Sequence, residues 1–167
     1  MTEEVRYWDR VGMYVTKEFA SDWIERIIAA HLFYKNVGVI GGEVLDNNSH
    51  NFLSKIADIV TFPKYDKICN VRSVPGVNSS YKREVVEQIG EYDQSLFRGE
   101  DVDYNWRVKN LGWKILYIPE IKVKHIHRST WIDLLSQHYM YGKANYLVRK
   151  KWPNMYAPYP LSIDSIY

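Results

Sequence analysis

The stretch that decides the fold is "GEDVDYNWRVKNLGWKILYIPEIKVKHIH", residues 99–127. Its first half begins with a glycine and several acids and stops at a second glycine, which predicts a helix that starts after Gly99 and stops at Gly112. Two apolar runs follow, residues 113–119 and 121–127, with a Pro-Glu break between them, and they predict two short strands. A helix followed directly by strands is typical of α/β proteins.

The remaining segments alternate between the same two types of element. Apolar residues at helical spacing predict helices over residues 22–36, 51–60, 81–90 and 130–152. A β-branched apolar run, residues 37–45, predicts a buried strand, and the stretch 63–80, with its prolines and glycine, predicts a loop or short strand. The chain is therefore predicted to be a single α/β domain over residues 1–167, with a short mixed sheet flanked by helices and a long basic helix near its end.

The composition is that of a globular domain, with 167 residues, 46% hydrophobic and 25% charged. Cys69 is the only cysteine, which excludes an internal disulfide and suits a reducing compartment. The first ten residues lack the apolar core of a signal peptide, and no run reaches the roughly 18 apolar residues that a membrane-spanning helix needs. The chain is therefore predicted to be cytoplasmic, with any membrane contact peripheral, at the inner face of the membrane.

Charge is distributed unevenly along the chain. Residues 1–107 contain 13 Lys/Arg and 17 Asp/Glu, whereas residues 108–151 contain 9 Lys/Arg and 2 Asp/Glu. A basic segment can face phosphates, anionic lipid or nucleic acid, or it can be a solvated surface. The 14 Tyr and 6 Trp suit ligand clefts and membrane interfaces, or simply a tyrosine-rich surface. No nucleic-acid motif or stacking platform is recognisable, so nucleic acid is not predicted as a partner.

Three acids, Glu100, Asp101 and Asp103, stand at the start of the helix predicted between Gly99 and Gly112. The free N–H groups and the dipole of a helix start favour anions, so the acids have a structural explanation. The same environment keeps a carboxylate ionised at neutral pH, as a general base must be. The position in the sequence alone leaves both interpretations open.

Two further polar clusters have a structural and a functional interpretation. Gly76 lies in a turn, and Asn78 and two serines then precede a helix, so the segment is either a helix cap or a loop that lines a substrate site. His125 and His127 are two apart on a predicted strand and therefore point to the same face. They are half of a metal site or a basic, half-exposed strand end.

The order of these segments resembles that of the family 2 glycosyltransferases of the GT-A fold. In that family a G-x-N-x-S-[FY]-[KR]-[KR] segment precedes G-x-[FY]-D-E-x-[FL], then G-E-D-x-D-[LY]-x-x-R, a strand closing in Pro and a His-containing strand. Here "GVNSSYKRE" (76–84) and "YDQSLFRGEDVDYNWRVKNLGWKILYIPEIKVKHIHRS" (92–129) follow that order and spacing. The resemblance covers residues 19–152 and leaves a Pro- and Tyr-rich tail, residues 153–167. It implies a partial GT-A-like, Rossmann-like α/β domain.

The resemblance also implies a role for each matching residue. Asp101 matches the catalytic base, which takes the proton from the acceptor hydroxyl as that hydroxyl attacks the anomeric carbon of the sugar. Glu100 matches the acidic neighbour that helps to orient the acceptor and the base. Gly76 and Asn78 fall in the loop that approaches the sugar, and Arg107 closes the G-E-D motif, so these three residues are predicted to bind substrate.

The family implies a divalent metal, Mg²⁺ or Mn²⁺, that a D-x-D motif holds on the donor diphosphate. That motif should fall near residues 14–16, which read Tyr-Val-Thr, and the nearest acid, Glu18, is displaced. His125 matches a metal-ligating histidine of some members, with His127 as a less favoured substitute. Because the D-x-D carboxylates are absent, metal binding is expected to be weak at best.

Three functions follow from the resemblance and its missing part. The first is inverting transfer of a sugar from a nucleotide-sugar to a glycan or lipid-linked acceptor, as in polysaccharide biosynthesis. In that case the chain is the acceptor half, and a homo-oligomer or a nucleotide-binding partner chain supplies the donor site. The second is a non-catalytic module or scaffold that binds glycan or lipid. The third is a truncated, inactive remnant of such an enzyme.

Overall fold

A computed structural model describes residues 17–47 and 50–154 as an α/β domain. Its strands are β1 (Lys17–Phe19), β2 (Val37–Asp46), β3 (Cys69–Asn70), β4 (Ser79–Tyr81) and β5 (Lys114–His125). Its helices are α1 (Trp23–Phe33), α2 (Phe52–Thr61), α3 (Arg83–Ile89), α4 (Glu100–Asn110) and α5 (Trp131–Lys151), and a 3₁₀ turn covers Gly76–Asn78. The predicted fold class, a mixed sheet flanked by helices, is confirmed. Residues 14–16, where the D-x-D motif of the family should fall, lie outside the described residues, and so does the tail beyond residue 154.

The sheet is mixed, with strand order β1-β5-β2-β4. The short strand β3 pairs with β5 on the side away from β2, which is also the side of β1. The two long strands, β2 and β5, run parallel at its centre, and the three short strands are antiparallel to their neighbours. The first six residues of β2 are all buried, as expected for a parallel strand covered on both faces. The buried strand predicted over residues 37–45 is thus confirmed.

The two strands predicted over residues 113–119 and 121–127 are instead one strand, which ends at His125. β5 continues through a bulge, because its pairing with β2 moves from Ile118 directly to Lys122. Pro119 lies in this bulge, where its missing N–H removes no ladder hydrogen bond. The bulge presses the Ile121 carbonyl against Gly42, where a Cβ would lie only 1.9 Å from the oxygen. The prediction of a break at the proline was therefore wrong.

The core has one layer on each face of the sheet. On one face α1 packs on β2 and β5 through Ile27, Ile40, Leu116, Ile118 and Ile121. On the other face the sheet meets α3, α4 and the segment before the 3₁₀ turn through Val39, Val74, Val85, Val108, Ile115 and Tyr117. A smaller cluster of Leu96, Trp106 and Val148 joins α4 to α5. None of the described helices is both long and apolar enough to cross a bilayer.

Candidate active site

The predicted base, Asp101, lies in the first turn of α4 and is held by a distant part of the chain. Gly99, with a φ of 77° that favours glycine, turns the backbone into the helix. The Gly76 N–H donates to Asp101 Oδ2 at 2.9 Å, and the Val102 N–H donates to Oδ1 at 2.8 Å. A Cβ on Gly76 would approach the Asp101 Cβ to 3.3 Å, so the contact leaves little room for a side chain. Two residues that the sequence assigned to one site are therefore in direct contact.

The second predicted acid, Glu100, is half-buried beside Asp101. Burial raises the pKa of the Glu100 carboxyl, and the nearby charge of Asp101 adds to this, while Arg98 and the backbone N–H of Glu100 oppose it. Within the part of the chain that the structure describes, the buried Oε2 atom has no hydrogen-bond donor. An unsatisfied buried oxygen costs free energy, so a hydrogen bond donated to this atom would be favourable.

Glu100→Gln is expected to raise the melting temperature at pH 7 by about 2 °C, because the amide has no charge to desolvate. The folded-state pKa of Glu100 lies above its unfolded value, so the wild type gains stability as the pH falls through that raised pKa. The difference between variant and wild type should therefore shrink in acid. Thermal unfolding across this pH range, with the exposed Glu87→Gln as control, measures it. A lower melting temperature for Glu100→Gln at pH 7 would contradict the assignment.

Three tyrosines that the sequence did not indicate form an aromatic wall next to the two acids. The Tyr104 ring lies 4.4 Å from the Tyr92 ring and 5.1 Å from the Tyr81 ring, measured between centroids. Burial raises the pKa of Tyr81 and Tyr92, and the charge of Asp101 raises both further. The phenols thus stay neutral, and Tyr92, 46% exposed, offers ring surface to a ligand. Helical spacing could have indicated one of the three, because Tyr104 is three residues after Asp101 and residues at that spacing are neighbours on a helix.

Helix α5 approaches the same acids from another side. The Arg98 guanidinium lies 5.5 Å from the centre of the Tyr141 ring, and Gln137 Nε2 donates to Tyr141 Oη at 2.9 Å. Burial raises the pKa of Tyr141, the bond from Gln137 and the charge of Arg98 oppose this, and Asp101 adds to it. The long basic helix is therefore a neighbour of the candidate site and not a separate extension.

Asn78 lies next to the site but does not face it. It has no exposed surface, and its Oδ1 accepts from Trp23 Nε1 at 3.0 Å. Its Nδ2 donates to the Glu43 carbonyl at 3.0 Å and to the Ile121 carbonyl at 2.9 Å. The carbonyl that the β5 bulge turns out of the sheet ladder is thus satisfied by Asn78. The side chain predicted to bind substrate instead joins α1, β2 and β5, and no ligand can reach it in this arrangement.

Arg107 is likewise occupied by the protein itself. Its Nη1 and Nη2 donate to the Ile89 and Glu91 carbonyls at 2.7 Å and 2.8 Å, beyond the last turn of α3. Its Nε donates to Asp103 Oδ2 at 3.1 Å. These three bonds use three of the five N–H donors of the guanidinium, so the predicted substrate contact stays a prediction and would have to use the remaining two. Arg107 holds the end of α3 against α4.

The two histidines do come together, as their spacing predicts, with ring centroids 5.0 Å apart. Both pack against the Phe62 ring, and His127 Nε2 lies 3.2 Å from Asp58 Oδ1. Burial lowers the pKa of His127, and the Asp58 charge opposes this. Among the described residues no group of three or more His, Cys, Asp or Glu side chains could hold a metal ion. The donor set around His125 therefore does not suit the divalent metal that the family implies.

A family model described as "Glycosyl transferase family group 2" matches residues 20–161, which is 142 of the 167 residues. The pre-mycofactocin glycosyltransferase of Mycobacterium tuberculosis (strain H37Rv) is 28% identical over 92 residues, which are 55% of this chain and 20% of that protein. The succinoglycan biosynthesis protein ExoA of Rhizobium meliloti is 23% identical over 94 residues, 54% of this chain and 28% of that protein. The chain thus spans less than a third of the length of these relatives.

The solved structure of GalNAc-T7 with UDP, GalNAc and Mn²⁺ superposes on 67% of this chain and 26% of its own, with a TM-score of 0.48 and 16% identity. The family model matches far more than half of the chain and includes α1 to α5, the acids of α4 and the 3₁₀ turn. The chain therefore belongs to glycosyl transferase family group 2.

Proposed function

We propose that the chain forms the acceptor side of an inverting glycosyltransferase that uses a nucleotide-sugar, with Asp101 as the general base. The observation that carries the proposal is the fixed position of Asp101, whose Oδ2 accepts from the Gly76 N–H at 2.9 Å. Glu100, with one buried oxygen lacking a donor, and the exposed Tyr92 ring lie near the same helix start. The carboxylates and the ring together suit a polyhydroxylated acceptor.

The proposed reaction is a single displacement. Asp101 takes the proton of the acceptor hydroxyl while the hydroxyl oxygen attacks the anomeric carbon. The bond from that carbon to the phosphate oxygen breaks, and the nucleoside diphosphate leaves with the electron pair. One displacement inverts the configuration at the anomeric carbon. Glu100 accepts a hydrogen bond from the acceptor and orients it for attack.

The donor needs groups that neutralise the diphosphate as it leaves. Because the described residues offer no metal-binding cluster, no step of the proposed reaction passes through a metal held by them. We propose that a nucleotide-binding region outside the described residues, either in the same polypeptide or in a partner chain, holds the donor. The acceptor is proposed to be a glycan or a lipid-linked sugar.

A transfer assay on the protein as it occurs tests this function. It would be incubated with a panel of nucleotide-sugars, with and without oligosaccharide acceptors, and the released nucleoside diphosphate would be measured. We expect release that depends on both substrates, and a product whose anomeric configuration, read by NMR, is the opposite of that in the donor. Retained configuration, or no acceptor-dependent release with any donor, would refute the proposal.

The outer face of α5 supports a second proposal, that the protein docks peripherally on an anionic membrane. Only Leu134, Ala144 and Val148 of this helix are buried. Its exposed face carries large apolar and aromatic residues together with cations: Trp131, Ile132, Leu135, Tyr139, Lys143, Tyr146, Leu147, Arg149 and Lys150. Aromatic and aliphatic side chains among Lys and Arg match the boundary between headgroups and acyl chains. The same surface also suits a non-catalytic lipid-binding module.

Lys143→Gln/Lys150→Gln is expected to weaken binding to vesicles of phosphatidylglycerol and phosphatidylcholine by about 30-fold. Each cation near an anionic surface contributes about 1 kcal/mol. Added salt screens this attraction, so it should also weaken vesicle binding by the wild type. Sedimentation with vesicles measures the binding. Lys35→Gln/Lys55→Gln makes the same charge change away from α5 and should have little effect. Equal binding of the α5 variant and the wild type would rule out this surface.

A further inference from the structure

Asn105, which no motif singles out, is a fully buried polar residue of α4. Its Oδ1 accepts from Tyr81 Oη at 3.0 Å. Its Nδ2 donates to Ser73 Oγ at 2.8 Å and to the Val74 carbonyl at 2.7 Å. Three of the four hydrogen bonds that an asparagine side chain can make are therefore formed, all of them to residues outside α4.

The contacts of Asn105 lead directly to the base. Only Pro75 separates Val74 from Gly76, whose N–H donates to Asp101. Because the φ of proline is fixed, the ψ of Pro75 is the main torsion that can vary between the Val74 carbonyl and the Gly76 N–H, so the two groups are closely coupled. Because Asn105 is four residues after Asp101, one helix carries both the base and the side chain that fixes the base's hydrogen-bond donor.

The segment that carries Gly76 is also restrained on both sides. Val74 is 2% exposed and packs on Gly41, where a Cβ would lie 2.5 Å from Val74 Cγ1. Beyond Gly76, the buried Asn78 is bonded to the carbonyls of β2 and β5. The strand side of the segment is thus set by the sheet, and Asn105 holds the helix side through its bonds to Ser73 and Val74.

An asparagine is the side chain that these three partners require. Two acceptors, a hydroxyl and a carbonyl, need two donors, while the Tyr81 hydroxyl needs an acceptor. Aspartate would supply the acceptor but would place a buried oxygen against the Val74 carbonyl. A buried, largely satisfied network of this kind holds a unique arrangement, because any substitution leaves a polar group unpaired.

We propose that Asn105 is a positioning residue for sugar transfer. Through Ser73, Val74 and the Gly76 N–H, it sets the orientation in which the Asp101 carboxylate meets the acceptor hydroxyl. This inference rests on the proposed function of Asp101 as the base. Asn105 acts on the geometry of attack and does not contact the substrate, so its loss should reduce turnover more than binding.

Asn105→Asp is expected to lower kcat by about 30-fold and to leave the KM of the donor within about twofold, because small misplacements of reacting groups are costly. The variant keeps an acceptor for Tyr81, but it replaces the two N–H donors by an oxygen that faces the Val74 carbonyl at the buried position. The second measurement is hydrogen exchange of the Gly76 amide, which should become faster as its bond to Asp101 weakens.

Ser54→Ala is the matched control, because it removes a hydrogen bond of a fully buried residue of α2, from Ser54 Oγ to Asp46 Oδ1 at 2.7 Å, outside the candidate site. It should lower stability while kcat and Gly76 exchange stay within about twofold of the wild type. Unchanged Gly76 exchange in Asn105→Asp, or an equal loss of kcat in Ser54→Ala, would overturn the inference. Full activity of Asp101→Asn would instead overturn the proposed base, and the exchange measurement would still decide whether Asn105 holds the Gly76 contact.

Discussion

Asp101→Asn is expected to lower kcat for sugar transfer by about 10³-fold, because general base catalysis contributes about 10²- to 10⁴-fold. The amide has nearly the same shape as the carboxylate, and its Oδ1 can still accept from the Gly76 N–H. Its NH2 group then faces the Val102 N–H, so the substitution removes proton acceptance together with one of the two hydrogen bonds that hold the side chain. The KM of the donor should stay within a few-fold of the wild-type value, because the loss falls on the transition state.

The control for this variant is Asp22→Asn, which makes the same chemical change at the exposed start of α1. Its kcat should equal that of the wild type within about twofold, as for most surface substitutions. Circular dichroism would verify that both variants keep the fold. An Asp101→Asn variant with more than about a tenth of wild-type kcat would rule out Asp101 as the base. Full cellular function in that variant would favour the non-catalytic module.

The sheet and the helix that carries the acids were predictable because their signals are local. The apolar run of β2 is long and β-branched, and Gly99 and Gly112 lie just outside the two ends of α4. Both glycines have positive φ, which is why other residues would be unfavourable there. The helix was predicted to start after Gly99 and to stop at Gly112; its start is confirmed, and its last residue is Asn110.

The role of Asn78 could not be predicted, and that of Arg107 only through its i,i+4 pair with Asp103, because their other partners are far away in sequence. The three bonds of Asn78 reach Trp23, Glu43 and Ile121, which lie 35 to 55 residues away. A polar residue in a loop that precedes a helix has the same sequence signal whether its donors face a ligand or the protein interior. The two outcomes are distinguished by the β5 bulge, where the Ile121 carbonyl accepts from Asn78 Nδ2 at 2.9 Å.

Asn105 and the aromatic wall are features of the site that the sequence did not indicate at all. Asn105 lies between an aromatic residue and a tryptophan in a helix, and its position there predicts nothing more than a mid-helix polar residue. Its importance appears only when Ser73 and Val74 are brought against α4 by the sheet. A side chain that binds a backbone carbonyl leaves no motif in the sequence, because every residue has such a carbonyl whatever its side chain.

Asp103→Asn is expected to lower the free energy of unfolding by about 3 kcal/mol, which moves the urea midpoint by about 1–2 M. Asp103 has no exposed surface and accepts from Trp152 Nε1 at 2.7 Å, Lys151 Nζ at 2.8 Å and Arg107 Nε at 3.1 Å. Burial lowers the pKa of Lys151, but its bonds to Asp103 and Asp93 outweigh this and raise it. The amide would turn its NH2 group towards donors on one side and would remove the buried negative charge that Lys151 and Arg107 face.

Asp93→Asn is the matched control, because Asp93 also pairs with Lys151, at 2.7 Å, but at the surface. An exposed pair is screened by water, so the urea midpoint of this variant should move much less. In Asp103→Asn the end of α5 should also separate from α4, which the emission of Trp152 would report at urea concentrations below the main transition. Because α5 brings Tyr141 next to Arg98 beside the acids, transfer should fall before the fold is lost. Equal midpoints for the two variants would mean that the third acid of the triplet is no more than a helix-start anion.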